Sequence, residues 1–512
     1  MKPWRELCVA LALLIAGSSA AQPAAPPTDP IIEIAGGKLS GAVQDGEGVF
    51  KNIPYAAPPL GDLRWRDPGP VAAWTGTRDG RAFGHACMQP NTPDTSEDCL
   101  TLNIWTPEWP ATSKHAVMVW LHGGGNTEGW TNTPFFDGSA LAKNGVVVVT
   151  AQYRLGIFGF FAHSELTQES PHHSSGNYGL LDQIAALRWV KDNIAAFGGD
   201  PNNVTLFGES AGAEDVGLLL VSPLAKGLFH RAIAESGPLR KIYPTLKQQE
   251  EECMGVPGAL NAPRQRQIAF LRSLSAADVL NAAWINQEIC KPVNLDGYVL
   301  TDQPLKQYAQ GQQHPVPFML GNTLREGFVA MPPTALGQMI RMQYGSRANQ
   351  VFDAYAFDGR RVPSPDPVYG DVVVQYGTDQ SHRCRVMLTG LQHAQTGQPF
   401  YQFQFSRDLP GQTNGSTHTD EIPFVFGAPA LKALRLARPA EMHLSEQMQS
   451  YWTNFAKTGD PNGMGLPRWA RFDAKAMAYM SFTVQGAAAG EGLRRPQCEL
   501  FLEQERERPS WQ

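Results

Sequence analysis

Ser210 lies in the pentapeptide GESAG, residues 208–212, between an apolar run ending at Phe207 and a helix-compatible stretch from Ala211 to Leu220. A serine between glycines at a strand-to-helix turn is the setting of an exposed nucleophile, because Gly208 and Gly212 relieve crowding while the turn lifts the hydroxyl clear. The helix that follows points its positive end at the same place and favours negative charge developing there. The chemistry implied is acyl transfer, in which a carbonyl carbon is attacked and its oxygen becomes an anion. Each donor aimed at that oxygen is worth roughly 3 to 4 kcal/mol of barrier. His122-Gly123-Gly124-Gly125 follows another apolar run, and its backbone N–H groups have no Cβ in front of them. Gly124, Gly125 and Ala211 are therefore the candidate oxyanion-hole donors.

A serine also needs a base, and where the nucleophile stands on such a turn the chain order is serine, acid, histidine. The candidate bases beyond Ser210 are His314, His382, His393, His418 and His443. His418 lies in GSTHTDEIPFVFG, a small-residue loop beside an apolar segment, where an imidazole reaches a cleft. For the acid, Glu326 in GNTLREGF follows the apolar run Val316 to Leu320, so it stands on a loop after a strand. Spacing alone leaves Asp296, Asp302 and Asp379 as rivals.

Positioning these groups requires a sheet. Residues 115–121 (HAVMVWL) and 145–151 (GVVVVTA) are short apolar runs bounded by turn residues, as in strands buried on both faces. Asn203 to Phe207 reads as a third strand, while residues 180–196 carry apolar residues at helical spacing and are stopped by FGGDP. Strands alternating with helices predict an α/β sheet. Between about 240 and 380 the pattern is weaker and locally helical, consistent with insertions capping that sheet.

Lys2 and Arg5 precede an apolar run from Leu7 to Ala16 that ends in small residues up to Ala21. This reads as a signal peptide over 1–21, too short for a membrane span, and places the mature protein in a secreted or periplasmic setting without a stable membrane anchor. No linker or repeat divides residues 22–512, so they read as one domain. The net charge of −6, with no basic cluster, argues against a nucleic-acid partner. One of seven cysteines, Cys8, falls in the leader; the six others admit 15 pairings, and no CxxC pair marks a zinc site.

Further segments, FKNIPYAAPPLGDLRW at 50–65, SEDCLTLNIW at 96–105, YRLGIFGF at 153–160 and GNYGLLDQIAALRWVKDNIAAFGGDPNNVTLFGESAGA at 176–213, join HGGG in a fixed order. Together they resemble the type-B carboxylesterase and cholinesterase-like family over nearly the whole mature chain. The resemblance implies the α/β-hydrolase fold and hydrolysis of a small-molecule ester through Ser210, His418 and Glu326, without metal or organic cofactor. It also implies the disulfides Cys87–Cys99, Cys253–Cys290 and Cys384–Cys498, an ion pair between Glu97 and Arg154, and a lining or supporting role for Glu209 and Ser236. The same fold also serves silent adhesion proteins, which lose the nucleophile or its partners. Two departures stand out. Asn126-Thr127-Glu128 replaces an aromatic after HGGG, which makes the wall beside the oxyanion hole more polar, and the Cys87 to Cys99 loop is short and holds no aromatic to receive a quaternary ammonium.

Overall fold

The runs His115–Leu121 and Val146–Ala151 are neighbouring parallel strands near the middle of a sheet that has 11 strands among the described residues. The computed structural model describes residues 29–511 except 286–289, 291, 327–330 and 410–414, and only the backbone at 283–285. The expected signal peptide lies outside the described residues. In chain order the strands of the sheet are β1 (Ala42–Gln44), β2 (Glu47–Pro54), β3 (Thr101–Thr106), β4 (His115–Leu121), β5 (Val146–Ala151) and β6 (Gly199–Glu209). They continue with β7 (Arg231–Glu235), β8 (Phe318–Thr323), β9 (Phe400–Phe405), β10 (Ala478–Thr483) and β11 (Gly486–Glu491). Across the sheet the order is β11-β10-β9-β8-β7-β6-β4-β5-β3-β2-β1. Pairing is parallel from β10 to β5 and antiparallel towards both edges.

Side chains alternate across a strand, so β4 feeds two cores at once. Val117, Val119 and Leu121 enter one core with Leu180 and Leu187 of α1 (Tyr178–Asn193) and Val216 and Leu218 of α2 (Ala211–Leu219). Met118 and Trp120 enter the other, against Phe207, Phe426 and Trp452 of α3 (Pro439–Thr458). A smaller apolar cluster, including Leu336, Ile340, Val351 and Tyr376, holds together the helices inserted between β8 and β9. These are the expected capping insertions.

Two element boundaries differ from the sequence reading. The strand placed at 203–207 begins at Gly199, with a register shift between Gly199 and Val204 where Pro201 has no N–H to give the ladder. The helix placed at 180–196 starts at Tyr178 and ends at Asn193, followed by a tighter turn over Ile194–Phe197 that Gly198 stops at φ 78°.

The expected pair of Glu97 with Arg154 does not form. Arg154 clasps Asp182 of α1, with Nε to Oδ2 at 2.7 Å and Nη2 to Oδ1 at 2.8 Å, and its own backbone N–H donates to the same carboxylate. Glu97 instead receives the fork of Arg64 at 2.7 and 2.6 Å. Both arginines line one small cavity with Glu97, and Nη1 of Arg64 is committed to the carbonyls of Leu271 and Leu274. Planar fork geometry thus gives each carboxylate its own guanidinium.

Disulfides join Cys87 to Cys99, Cys253 to Cys290 and Cys384 to Cys498. The first closes a loop of sequence separation 12, for which chain entropy predicts about 3 kcal/mol of stabilisation. Replacing Cys87 and Cys99 together by Ser should therefore lower the urea midpoint by the equivalent of that amount, and an unchanged midpoint would count against the loop-closure account. Among the described residues no helix is long and apolar enough to cross a membrane.

Candidate active site

The parallel strands deliver the site at their carboxyl ends, where open α/β sheets leave their crevice. β4 ends in Leu121 before His122 and the glycines, β6 in Glu209 before Ser210, and β7 in Glu235 before Ser236. Ser210 has φ 54° and ψ −120°, a left-handed conformation that costs a non-glycine residue about 1 to 3 kcal/mol and is held here from both sides. Its N–H donates to Glu235 O at 2.9 Å, and its carbonyl accepts from Glu214 N at 2.9 Å. The flanking glycines are required by proximity: a Cβ on Gly212 would come within 2.2 Å of Leu121 O, and one on Gly208 within 2.7 Å of the same atom. Ser210 stays partly exposed while Glu209 and Ala211 on either side are buried.

His418 Nε2 lies 2.8 Å from Ser210 Oγ, and His418 Nδ1 lies 2.6 Å from Glu326 Oε2. The other oxygen of Glu326 accepts from Thr323 N at 2.6 Å, and Glu326 N donates to Thr378 Oγ1 at 3.1 Å. The two loops that carry acid and imidazole are stitched to each other, since Arg325 N donates to Ser416 O and Ser416 Oγ donates to Phe405 O at the end of β9. Burial alone would raise the Glu326 carboxyl, but His382 and then the hydrogen bond and charge of His418 outweigh it and bring it down to about 2. Burial alone would lower His418; its bond to Glu326 and that charge prevail and raise it above the ordinary 6.5.

The rivals left open by spacing are committed elsewhere. Asp296 caps the amides of Tyr298, Val299 and Leu300, Asp302 pairs with Lys306, and Asp379 is clasped by Arg383 and Arg494. His314 and His393 meet the carbonyls of Ser222 and Val316, and His443 is exposed on α3. His382 does reach the site, 3.9 Å from Glu326 Oε2.

Gly124 and Gly125 take φ of 106° and 66°, open to glycine, and among the described residues neither N–H has a protein acceptor. Ala211 opens α2, so its N–H has no intrahelical partner. The glycine loop is braced from behind: Tyr153 OH donates to His122 O at 2.6 Å, and its ring stacks on the His122 imidazole at 4.4 Å. The expectation that residues 126–128 form a polar wall holds only for the last two. Asn126, at φ 60°, is buried and donates to Asp215 Oδ1 at 2.9 Å, leaving Thr127 and Glu128 exposed.

Behind the nucleophile lie buried acids that sequence reasoning gave no joint role. Glu209 Oε1 sits 3.3 Å from His418 Nε2, Ser236 Oγ donates to Glu421 Oε1 at 3.2 Å, and Trp452 Nε1 donates to Glu235 Oε1 at 2.8 Å. Burial, with the neighbouring carboxyls adding to it, raises Glu209 and Glu421 well above the carboxylate range. Burial likewise brings Glu235 to about 8. Glu326, held at about 2 and bonded to Nδ1, is the carboxylate that faces the imidazole. Glu326, His382 and His418 also bring ligand-type atoms within 4.8 Å of one another. Their lone pairs are taken up by hydrogen bonds, and Arg240 adds a cation beside them, a poor setting for a metal ion.

The carboxylesterase family matches this chain over residues 28–501. The chain belongs to that family. Among carboxylesterase relatives, it is 36% identical over 475 residues to a fumonisin B1 esterase of Sphingopyxis macrogoltabida, covering 89% of this chain and 87% of that protein. It is 36% identical over 469 residues to the para-nitrobenzyl esterase of Bacillus subtilis, covering 85% and 91%. The solved structure of a PNB esterase superposes with a TM-score of 0.80 at 32% identity, covering 92% of this chain and 100% of that one. This carboxylesterase has the α/β-hydrolase fold and is a carboxylic ester hydrolase.

Proposed function

We propose that this carboxylesterase works through an acyl-enzyme on Ser210 and is exported from the cell. The observation that carries the reading is the unbroken hydrogen-bonded row from Ser210 Oγ through His418 to Glu326, at 2.8 and 2.6 Å. His418 Nε2 takes the hydroxyl proton as Oγ attacks the ester carbonyl, and Glu326 holds Nδ1–H and stabilises the imidazolium. The carbonyl oxygen becomes an anion facing the N–H groups of Gly124, Gly125 and Ala211. Collapse breaks the carbon–oxygen bond, and the leaving alkoxide recovers its proton from His418 Nε2. A water then repeats the sequence on the acyl-enzyme and releases the acid. Export is supported by the leader-like residues 1–21 and by three disulfides, which persist in oxidising compartments.

An uncharged alkyl phosphonate, which captures an activated serine, should label Ser210 and no other serine. Its rate should follow neutral His418. Because that pKa is raised, the rate falls as pH drops through a value above 6.5, whereas Glu326, held at about 2, stays charged throughout. Peptide mapping that places the label elsewhere, or a rate indifferent to pH between 5 and 8, would sink the assignment.

A further inference from the structure

Arg64, Arg154, Arg272, Arg383, Arg407 and Arg494 each hold a carboxylate. Arg240 does not. It stands on the segment leaving β7, just beyond Ser236, partly buried, and among the described residues no carboxylate lies within ion-pair distance of it. Its neighbour Lys241 reaches Glu214 Oε2 at 2.9 Å.

What Arg240 does touch is neutral. Its Nη1 donates to His382 Nε2 at 2.8 Å, while His382 Nδ1 meets Ser381 Oγ at 2.8 Å and that hydroxyl donates to Gly377 O at 2.6 Å. With Nε2 accepting from a cation, the proton of His382 belongs on Nδ1, and the ring is an uncharged prop. The prop stands inside the site, its ring centre 6.1 Å from that of His418. The charge of Arg240 is felt at His418 itself, where it opposes protonation.

A partly desolvated guanidinium with donors to spare and no counter-ion is costly as it stands, and a carboxylate arriving with the substrate removes that cost. The planar fork suits a carboxylate better than any neutral group, and one edge of it is already oriented by His382. We propose that Arg240 is a specificity residue that binds a carboxylate on the substrate, so that the preferred substrates are anionic esters, such as half-esters of dicarboxylic acids.

This inference rests on the Ser210 site reading and is tested separately from it. The monobutyl esters of succinic, glutaric and adipic acid, ionised at pH 7, are compared with the neutral butyl pentanoate, reading butanol release as kcat/KM. The expected result is a preference of about tenfold or more for at least one half-ester, weakened by added salt. Arg240→Gln should reduce that preference by about the same factor, and Arg240→Lys should restore part of it. A structural role would slow both ester types together and leave their ratio unmoved. Should the variants fail to fold, the wild-type ratio still decides, and butyl pentanoate turned over as well as every half-ester overturns the proposal. If Ser210→Ala retains both activities, the site reading fails instead and this inference falls with it.

Discussion

Replacing Ser210 by Ala is expected to lower kcat for a simple activated ester by about four to six orders of magnitude, since members of a triad act as a unit. Ser210 Oγ is the atom 2.8 Å from His418 Nε2, so its loss removes the nucleophile and leaves the imidazole nothing to activate except water. The amides of Gly124, Gly125 and Ala211 survive, and with substrate binding they support a residual rate of about 10³ to 10⁴ over water. The fold should survive as well. Alanine keeps the Cβ at φ 54° and leaves the backbone bonds to Glu235 O and from Glu214 N in place. The check is a rate measured alongside a urea titration: an unchanged midpoint with activity above about a tenth of wild type would remove Ser210 from the mechanism.

Legibility followed the range of the interactions. GESAG and HGGG were readable because a nucleophile turn and a donor loop are local, and their glycines are needed by contacts to adjoining backbone such as Leu121 O. The acid and the base were not decidable from residue types, because five histidines and four acids satisfied the same order. What separates them is where each side chain's own hydrogen bonds go, as with Asp296 closing a turn and Asp379 held by two arginines. The resemblance supplied the choice. Asp182, 28 positions from Arg154, gave no signal, since a fork meeting a helix carboxylate depends on how α1 packs against the segment that follows β5. Asn126 misled for a related reason: a polar residue in a loop reads as exposed, yet φ 60° turns it inward to Asp215. The buried trio of Glu209, Glu235 and Glu421, all with raised carboxyls, was invisible because carboxyls on different strands and loops meet only in the fold.

Arg240 illustrates the same limit at the rim of the site. In the sequence it is one of many arginines, and only the absence of a carboxylate beside it, among the described residues, together with a neutral histidine as its prop, sets it apart. A positive group at that place and an aromatic-free Cys87 to Cys99 loop both act against cationic esters. The two features therefore select in one direction, from opposite sides of the chemistry.

Glu326→Gln is expected to leave the protein folded and to slow catalysis by about 10³ to 10⁴. The local hydrogen bonds say why a change of one atom should matter so much. Thr323 N–H donates to Glu326 Oε1, so the amide of a glutamine must put its oxygen there and turn its NH₂ towards His418 Nδ1. Nδ1 then has to accept, which moves the ring proton to Nε2 and presents Ser210 with a donor where it needs a base. The flipped amide would set NH₂ against the Thr323 N–H and leave two donors facing each other. Neither orientation restores a carboxylate at Nδ1 to stabilise the imidazolium, and Glu209 lies on the Nε2 side of the ring, where it cannot hold Nδ1–H. Asp302→Asn, at a half-buried pair with Lys306 away from the triad, serves as the control and should change the rate by less than about twofold. Phosphonate labelling of Ser210 should slow in parallel with turnover. If Glu326→Gln kept most of its activity while Asp302→Asn lost it, the acid would have to be moved.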